Sequence, residues 1–186
     1  SKKRELKLTV SRALSDEIES RSRSMASLKR AKQKENRDLT DQESNNNLKP
    51  IKITRANFTT YGDLISSDNV KPMDINSGYA KRFNNLANIN TSKDRGETIM
   101  SILSALKRTF PMKIDMMEKH PLGSQAFIPM KETTFLAFVA PSGDKPEIVK
   151  IKSFIISPGM GINYKPGIWH FPLISTEDTN FLVIDR

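Results

Sequence analysis

Cysteine is absent from the 186-residue chain. Its absence excludes disulfides, thiolate catalysis and a cysteine-bound zinc, and it fits a reducing compartment. No run reaches the roughly 18 apolar residues that a membrane helix needs, and no signal-peptide pattern opens the chain. The chain therefore reads as soluble and cytoplasmic. It begins at Ser1 without an initiator Met, which points to a fragment or a processed start. Histidine is scarce: only His120 and His170 occur.

Other scarcities are local. The first 49 residues contain no Pro, no Gly and no aromatic residue, although the chain has ten Pro, eight Gly and nine Phe. A core needs bulky apolar side chains, so the boundary falls near Lys49 and Pro50. Residues 1–49 read as a basic polar leader and linker, and residues 50–186 as the globular domain. The leader carries 13 Lys/Arg against 8 Asp/Glu, over half of the net charge of +9. Leu14, Ile18, Met25 and Leu28 trace a thin helical stripe, interrupted at Arg21, with Ser11 or Ser15 as caps. Residues 29–49 then turn polar. With no aromatic to stack on a base, only phosphate attraction would remain for a nucleic acid. The leader reads as a solvated helical or disordered arm, and nucleic acid and membrane are not expected partners.

From Pro50 onward the sequence is short apolar stretches divided by turn residues. IKIT (51–54), TIMSILSA (98–105), KIDMM (113–117), QAFIPM (125–130), TFLAFVA (134–140), IVKIKSFII (148–156), GINY (161–164), IWHFPLI (168–174) and NFLVID (180–185) predict strands. NFTTYGDLI predicts a short helix capped by Asn57 and closed near Gly62. TFLAFVA is apolar on both faces, as an inner strand covered on each side would be, while IVKIKSF alternates. Many short strands and little helix predict an all-β sandwich or closed barrel.

His120 lies in EKHPLGSQAFIPM and His170 in KPGIWHFPL, both beside Pro and Gly. A turn between His120 and Gln125 lets both side chains face inward at a barrel mouth. Within a strand, His170 faces opposite to Trp169 and Phe171. Two imidazoles and a carboxamide can hold a metal, orient a small acid or exchange protons near neutral pH. Alternatively, each histidine satisfies only a buried backbone carbonyl.

EKHPLGSQAFIPM, GINYKPGIWHFPL and NFLVIDR resemble the ureidoglycolate lyase (ureidoglycolate hydrolase) family, as do YGDLI at 61–65 and DINSGYAKRFNNLA at 74–87. The resemblance implies a cupin-like double-stranded β-helix, a jelly-roll barrel, usually dimeric. It also implies cleavage of ureidoglycolate to glyoxylate and urea in allantoin degradation, a branch of purine metabolism. His120 and Gln125 resemble the first cupin block, with Gln where many cupins carry a metal-binding Glu, and His170 the second. Two departures stand out: the basic leader has no counterpart, and the chain stops at Arg186 where members run on.

Ureidoglycolate carries a hydroxyl and a ureido nitrogen on one carbon beside a carboxylate. Expelling urea needs a base at the oxygen, an acid at the nitrogen and a cation on the carboxylate. The catalytic candidates are His120, His170, Gln125 and Tyr164. Arg82, Lys131 and Asn76 are the substrate-binding candidates, Arg82 having the two-pronged geometry that suits a carboxylate. His120, Gln125 and His170 are the candidate metal ligands, for a weakly bound divalent ion such as nickel or zinc rather than an obligatory cofactor. Asp63 and Asp185 read as turn or cap residues. The competing class is an inactive cupin-like module that binds a small acid or a partner.

Overall fold

Alternation of apolar and polar residues becomes strand wherever turn residues let segments pair, and after Pro50 it does so in twelve short segments. The computed structural model describes residues 48–186, which form a compact unit, Leu48–Arg186. The leader readings, its helical stripe included, lie outside the described residues.

The strands are β1 (Ile51–Lys52), β2 (Gly62–Ile65), β3 (Met73–Ile75), β4 (Ala80–Arg82), β5 (Ile99–Ala105) and β6 (Gln125–Pro129). Then come β7 (Phe135–Ala140), β8 (Lys152–Ile156), β9 (Gly161–Tyr164), β10 (Trp169–His170), β11 (Ile174–Ser175) and β12 (Thr179–Asp185). Among the described residues the α-helix content is one short helix, α1 (Arg55–Phe58). One sheet runs β1-β8-β7-β10, with β11 also on β7; a second runs β2-β9-β6-β12-β5; β3 and β4 form a separate ribbon. The protein is all-β, in keeping with a cupin-like fold.

The two sheets share a core. Phe135, Ala137, Val139, Phe154 and Ile156 from the first meet Phe127, Ile162, Tyr164, Phe181 and Val183 from the second. Phe135 and Phe181 touch across the gap, edge to face, with ring centroids 5.2 Å apart. β7 is buried at every position, because its second face, Leu136 and Phe138, packs on Phe171, Ile174, Met112, Ile114 and Met117. The doubly apolar TFLAFVA is thus an inner strand.

Four local expectations need correction. Thr54, not Asn57, caps α1: its hydroxyl accepts from Asn57 N at 3.1 Å while Asn57 Oδ1 accepts from Thr54 N at 2.8 Å, a reciprocal capping box. The helix ends at Phe58, and Gly62–Ile65 is strand because it pairs with β9. The stretch 113–117 is no strand: Met112, Ile114 and Met117 serve as a cover on the outer face of β7. Residues 148–150 form a 3-10 turn, so β8 starts only at Lys152.

Candidate active site

The positions of the two histidines follow from backbone pairing. Glu118 and His170 form an antiparallel bridge, Glu118 N donating to His170 O and His170 N to Glu118 O, both at 2.8 Å. Directly opposed residues project to one side, and His120, two residues beyond Glu118, projects to that same side. Three donor groups therefore converge. The imidazole centroids of His120 and His170 are 5.3 Å apart, and Glu118 Oε1 lies 3.6 Å from His170 Nε2. One ligand atom from each of Glu118, His120 and His170 falls within 4.8 Å of the others.

Turn residues hold this geometry. Gly167 has φ of 78°, the left-handed region that suits glycine, and its N–H donates to His120 O at 2.9 Å. The His120–Gln125 turn is pinned from outside: Ser124 N donates to Asn90 O at 2.7 Å and Asn90 N to Ser124 Oγ at 2.8 Å. The Arg186 guanidinium donates to Leu122 O at 3.3 Å and to Lys93 O. A Cβ on Gly123 would meet the Arg186 side chain at 2.8 Å, so the turn admits no larger residue without displacing that clamp.

His170 is 2% exposed. Its Nδ1 lies 3.0 Å from Ile168 O, and a carbonyl only accepts, so the proton sits on Nδ1. Nε2 is then a lone-pair acceptor, buried and without a hydrogen-bond partner among the described residues. Burial lowers the His170 pKa to about 4; the Ile168 bond partly opposes this, and His120 lowers it further. Its imidazole is therefore neutral near pH 7, despite the neighbouring Glu118 carboxylate. Tyr164 stacks on this ring at 4.3 Å between centroids. Its phenol is pushed up, first by burial and then by the Glu118 charge, and so stays neutral near pH 7.

The depressed His170 pKa has a consequence for stability. Unfolding restores the ordinary value of 6.5, so the unfolded chain binds the proton first as pH falls. Stability from neutral His170 is complete above about pH 6.5 and is lost toward pH 4, by on the order of 3 kcal/mol. Urea midpoints of chelator-treated protein should fall between pH 7 and pH 5 more steeply than those of His170→Asn. Parallel pH profiles would contradict this.

Gln125 stands directly across from Tyr164 in the β6–β9 register, so the two side chains share a face. Asp185 Oδ2 accepts from Gln125 Nε2 at 3.0 Å. Glu118, His120, Gln125, Tyr164, His170 and Asp185 thus form one connected group. The other candidates lie apart from it. Lys131 pairs with Glu177 at 2.9 Å, both half-exposed. It follows the far end of β6 from Gln125, about 20 Å along an extended chain. Asn76 and Arg82 are exposed on the β3–β4 ribbon, Asn76 at its tip with φ of 52° and Arg82 opposite Met73. The structure does not bring these three together with the imidazoles.

Glu118 is not among the sequence candidates, and Asp185, which reads there as a turn or cap residue, lies on β12 with its carboxylate on Gln125, though each left a signal. Glu118 sits two residues before His120, the strand period that shares a face. In NFLVID the same period puts Asp185 on the side of Phe181 and Val183, which face the core.

Comparison with known proteins adds an independent line. The family described as ureidoglycolate lyase matches residues 45–186. A ureidoglycolate lyase of Burkholderia mallei is 40% identical over 135 residues, covering 72% of this chain and 79% of that one. One from Pseudomonas paraeruginosa is 40% identical over 140 residues, covering 75% and 83%, and one from Pseudomonas fluorescens is 41% identical over 135 residues, covering 72% and 81%. Among solved structures, Streptomyces albus HEPD with 2-hydroxyethylphosphonate and Fe(II) bound matches with a TM-score of 0.35 and 16% identity over 47% of this chain and 17% of that one. That overlap is too small to bear on fold or chemistry. The family match spans every element of the histidine group at an identity sustained over more than two thirds of the chain: the chain belongs to the ureidoglycolate lyase family.

Proposed function

We propose that the protein is a lyase that cleaves ureidoglycolate to glyoxylate and urea, with the Glu118–His120–His170 group as its catalytic centre. The observation that carries the reading is a buried, neutral imidazole whose free Nε2 stands beside a second imidazole and a carboxylate. His170 Nε2 takes the proton from the substrate hydroxyl. The oxygen's electron pair forms the aldehyde C=O, and the C–N bond breaks. His120, on the solvent side, gives a proton to the departing nitrogen, so that urea leaves neutral. Charge that develops on the buried His170 ring is offset by the Glu118 carboxylate. Tyr164 keeps the ring plane fixed by stacking on it. Sustained identity to proteins named as lyases favours this reading over an inactive small-acid-binding module. Incubation with racemic ureidoglycolate, with glyoxylate release coupled to a reductase, tests it. One enantiomer should disappear with equimolar urea; ammonia in place of urea, or no turnover, would overturn it. The same assay on residues 48–186 checks that the compact unit carries the chemistry and that the leader is a separate segment.

The same three side chains suit a divalent ion. Two imidazoles and one carboxylate can form a three-ligand set that leaves positions open, and His170 Nε2, without a partner among the described residues, is directed for it. With an ion such as nickel or zinc held there, His170 Nε2 would serve as a ligand and not as the base, and the ion would supply the polarisation of the hydroxyl oxygen and offset the substrate carboxylate. We expect it to bind weakly. The purified protein should hold less than one equivalent, and Glu118→Gln should lower ion binding at least tenfold in titration calorimetry. Full occupancy that survives prolonged chelation would contradict weak binding.

A homodimer is part of this reading. β5 is one edge of the second sheet among the described residues, seven residues long, and it exposes apolar side chains on both faces, Met100 at 69% and Ile102 at 63% on one, Ile99 at 48% and Leu103 at 41% on the other. A long apolar edge is a template for strand pairing, and a second copy of β5 covers it. Ile102→Lys should shift the protein from dimer to monomer in sedimentation equilibrium without loss of secondary structure. A dimer that persists would place the contact elsewhere.

A further inference from the structure

The mechanism above leaves Asp185 and Gln125 without a role, and their arrangement suggests one. A carboxylate only accepts hydrogen bonds, so the face of the Gln125 amide turned to Asp185 at 3.0 Å must be its nitrogen. The opposite face, Oε1, is thereby fixed as an acceptor. That oxygen is buried and takes no hydrogen bond from any described residue. It belongs to the side chain across from Tyr164, whose ring stacks on His170. An orphaned acceptor therefore stands at the catalytic group, with its orientation dictated by a carboxylate behind it.

We propose that Asp185 is a positioning residue for substrate specificity: it locks Gln125 so that Oε1 accepts an N–H of the substrate's ureido group. The proposal rests on the lyase reading and assigns the recognition of the leaving group. A ureido group differs from an ester or ketone of the same shape in carrying N–H donors. A locked carbonyl satisfies such a donor, whereas a ligand without one leaves Oε1 buried and unpaired, which costs binding. Without Asp185 the amide could turn and present its NH2 group, and the distinction would fade. The outer clamp supports the same element, because Arg186, next in sequence, holds the turn that leads into Gln125.

Two non-reacting probes separate recognition from chemistry. Ureidoacetate keeps the ureido group and the carboxylate but lacks the hydroxyl that must be deprotonated. Levulinate has the same skeleton with CH2 and CH3 in place of NH and NH2. Calorimetry on the full chain should show ureidoacetate bound at least tenfold more tightly than levulinate. Asp185→Asn, whose amide can face Gln125 either way, should reduce that preference to threefold or less. The change should come from weaker ureidoacetate binding, with levulinate altered less than twofold. If Asp185→Asn fails to show a native thermal transition, Gln125→Met, which removes the acceptor and keeps the bulk, should erase the preference in the same way. Equal weakening of both probes would mark Asp185 as merely structural. An unchanged preference, or no binding of ureidoacetate to the wild type, would also overturn the proposal. Failure of the lyase reading looks different: probe discrimination would be intact while the wild type releases no glyoxylate.

Discussion

His170→Asn is expected to lower turnover of ureidoglycolate by about a thousandfold, within the range usual for loss of a general base. The reason lies in how the two ring nitrogens are employed. Nδ1 donates to Ile168 O, and Nε2 has no partner among the described residues. An asparagine amide can keep the first bond and cannot supply the second function, so it isolates the loss of Nε2. The mutant should retain its fold and its thermal transition. The defect should fall mainly on kcat, because the proton moves only as the C–N bond breaks. Single-turnover glyoxylate release checks this. A loss under tenfold would mean that another group takes the proton.

The largest expected effect on stability is at Phe154. It is fully buried on β8, where it pairs with Ile51 on one side and Ala137 on the other. Its ring meets Phe58 edge to face at 5.3 Å and Tyr61 at 6.0 Å, which ties α1 to the core. Phe154→Ala removes a ring from a space that two rigid sheets and a capped helix bound, and they cannot close over the hole. The cost should be about 3–5 kcal/mol, or a Tm lower by about 10–20 °C for a domain of this size. Calorimetric unfolding measures it directly. A shift of only a few degrees would mean that the core relaxes where it is described as rigid.

Much of this architecture was legible, because strands write a period of two into the sequence. TFLAFVA declared an inner strand, and NFLVID and QAFIPM declared strands, which β12 and β6 are. Other parts depend on pairing that a local pattern does not encode. The stretch around KIDMM has strand-like composition, yet it covers the outside of β7 instead of joining a sheet. α1 is short enough that one reciprocal hydrogen-bond pair decides its start, and Thr54 makes that pair.

The site was legible to the same extent. The two histidines stood out through their rarity and their Pro/Gly settings, which encode the Gly167 turn and the clamped 120–124 turn. Glu118 and Asp185 did not stand out, since acidic residues are common and only facing strands give these two a shared direction. Arg82 and Lys131 were chosen for their charge. Charge says nothing of position: one lies on a separate ribbon and the other beyond the far end of β6.

The central claim is that His120 and His170 work as one unit on one substrate. The direct measurement is kcat/KM for ureidoglycolate with His120→Ala, His170→Ala and the double mutant, each checked for an intact thermal transition. Groups that act together are strongly non-additive. The double mutant should therefore be within about tenfold of the worse single mutant. A double mutant whose loss equals the product of the two single losses would show two imidazoles acting independently, and would contradict a single site.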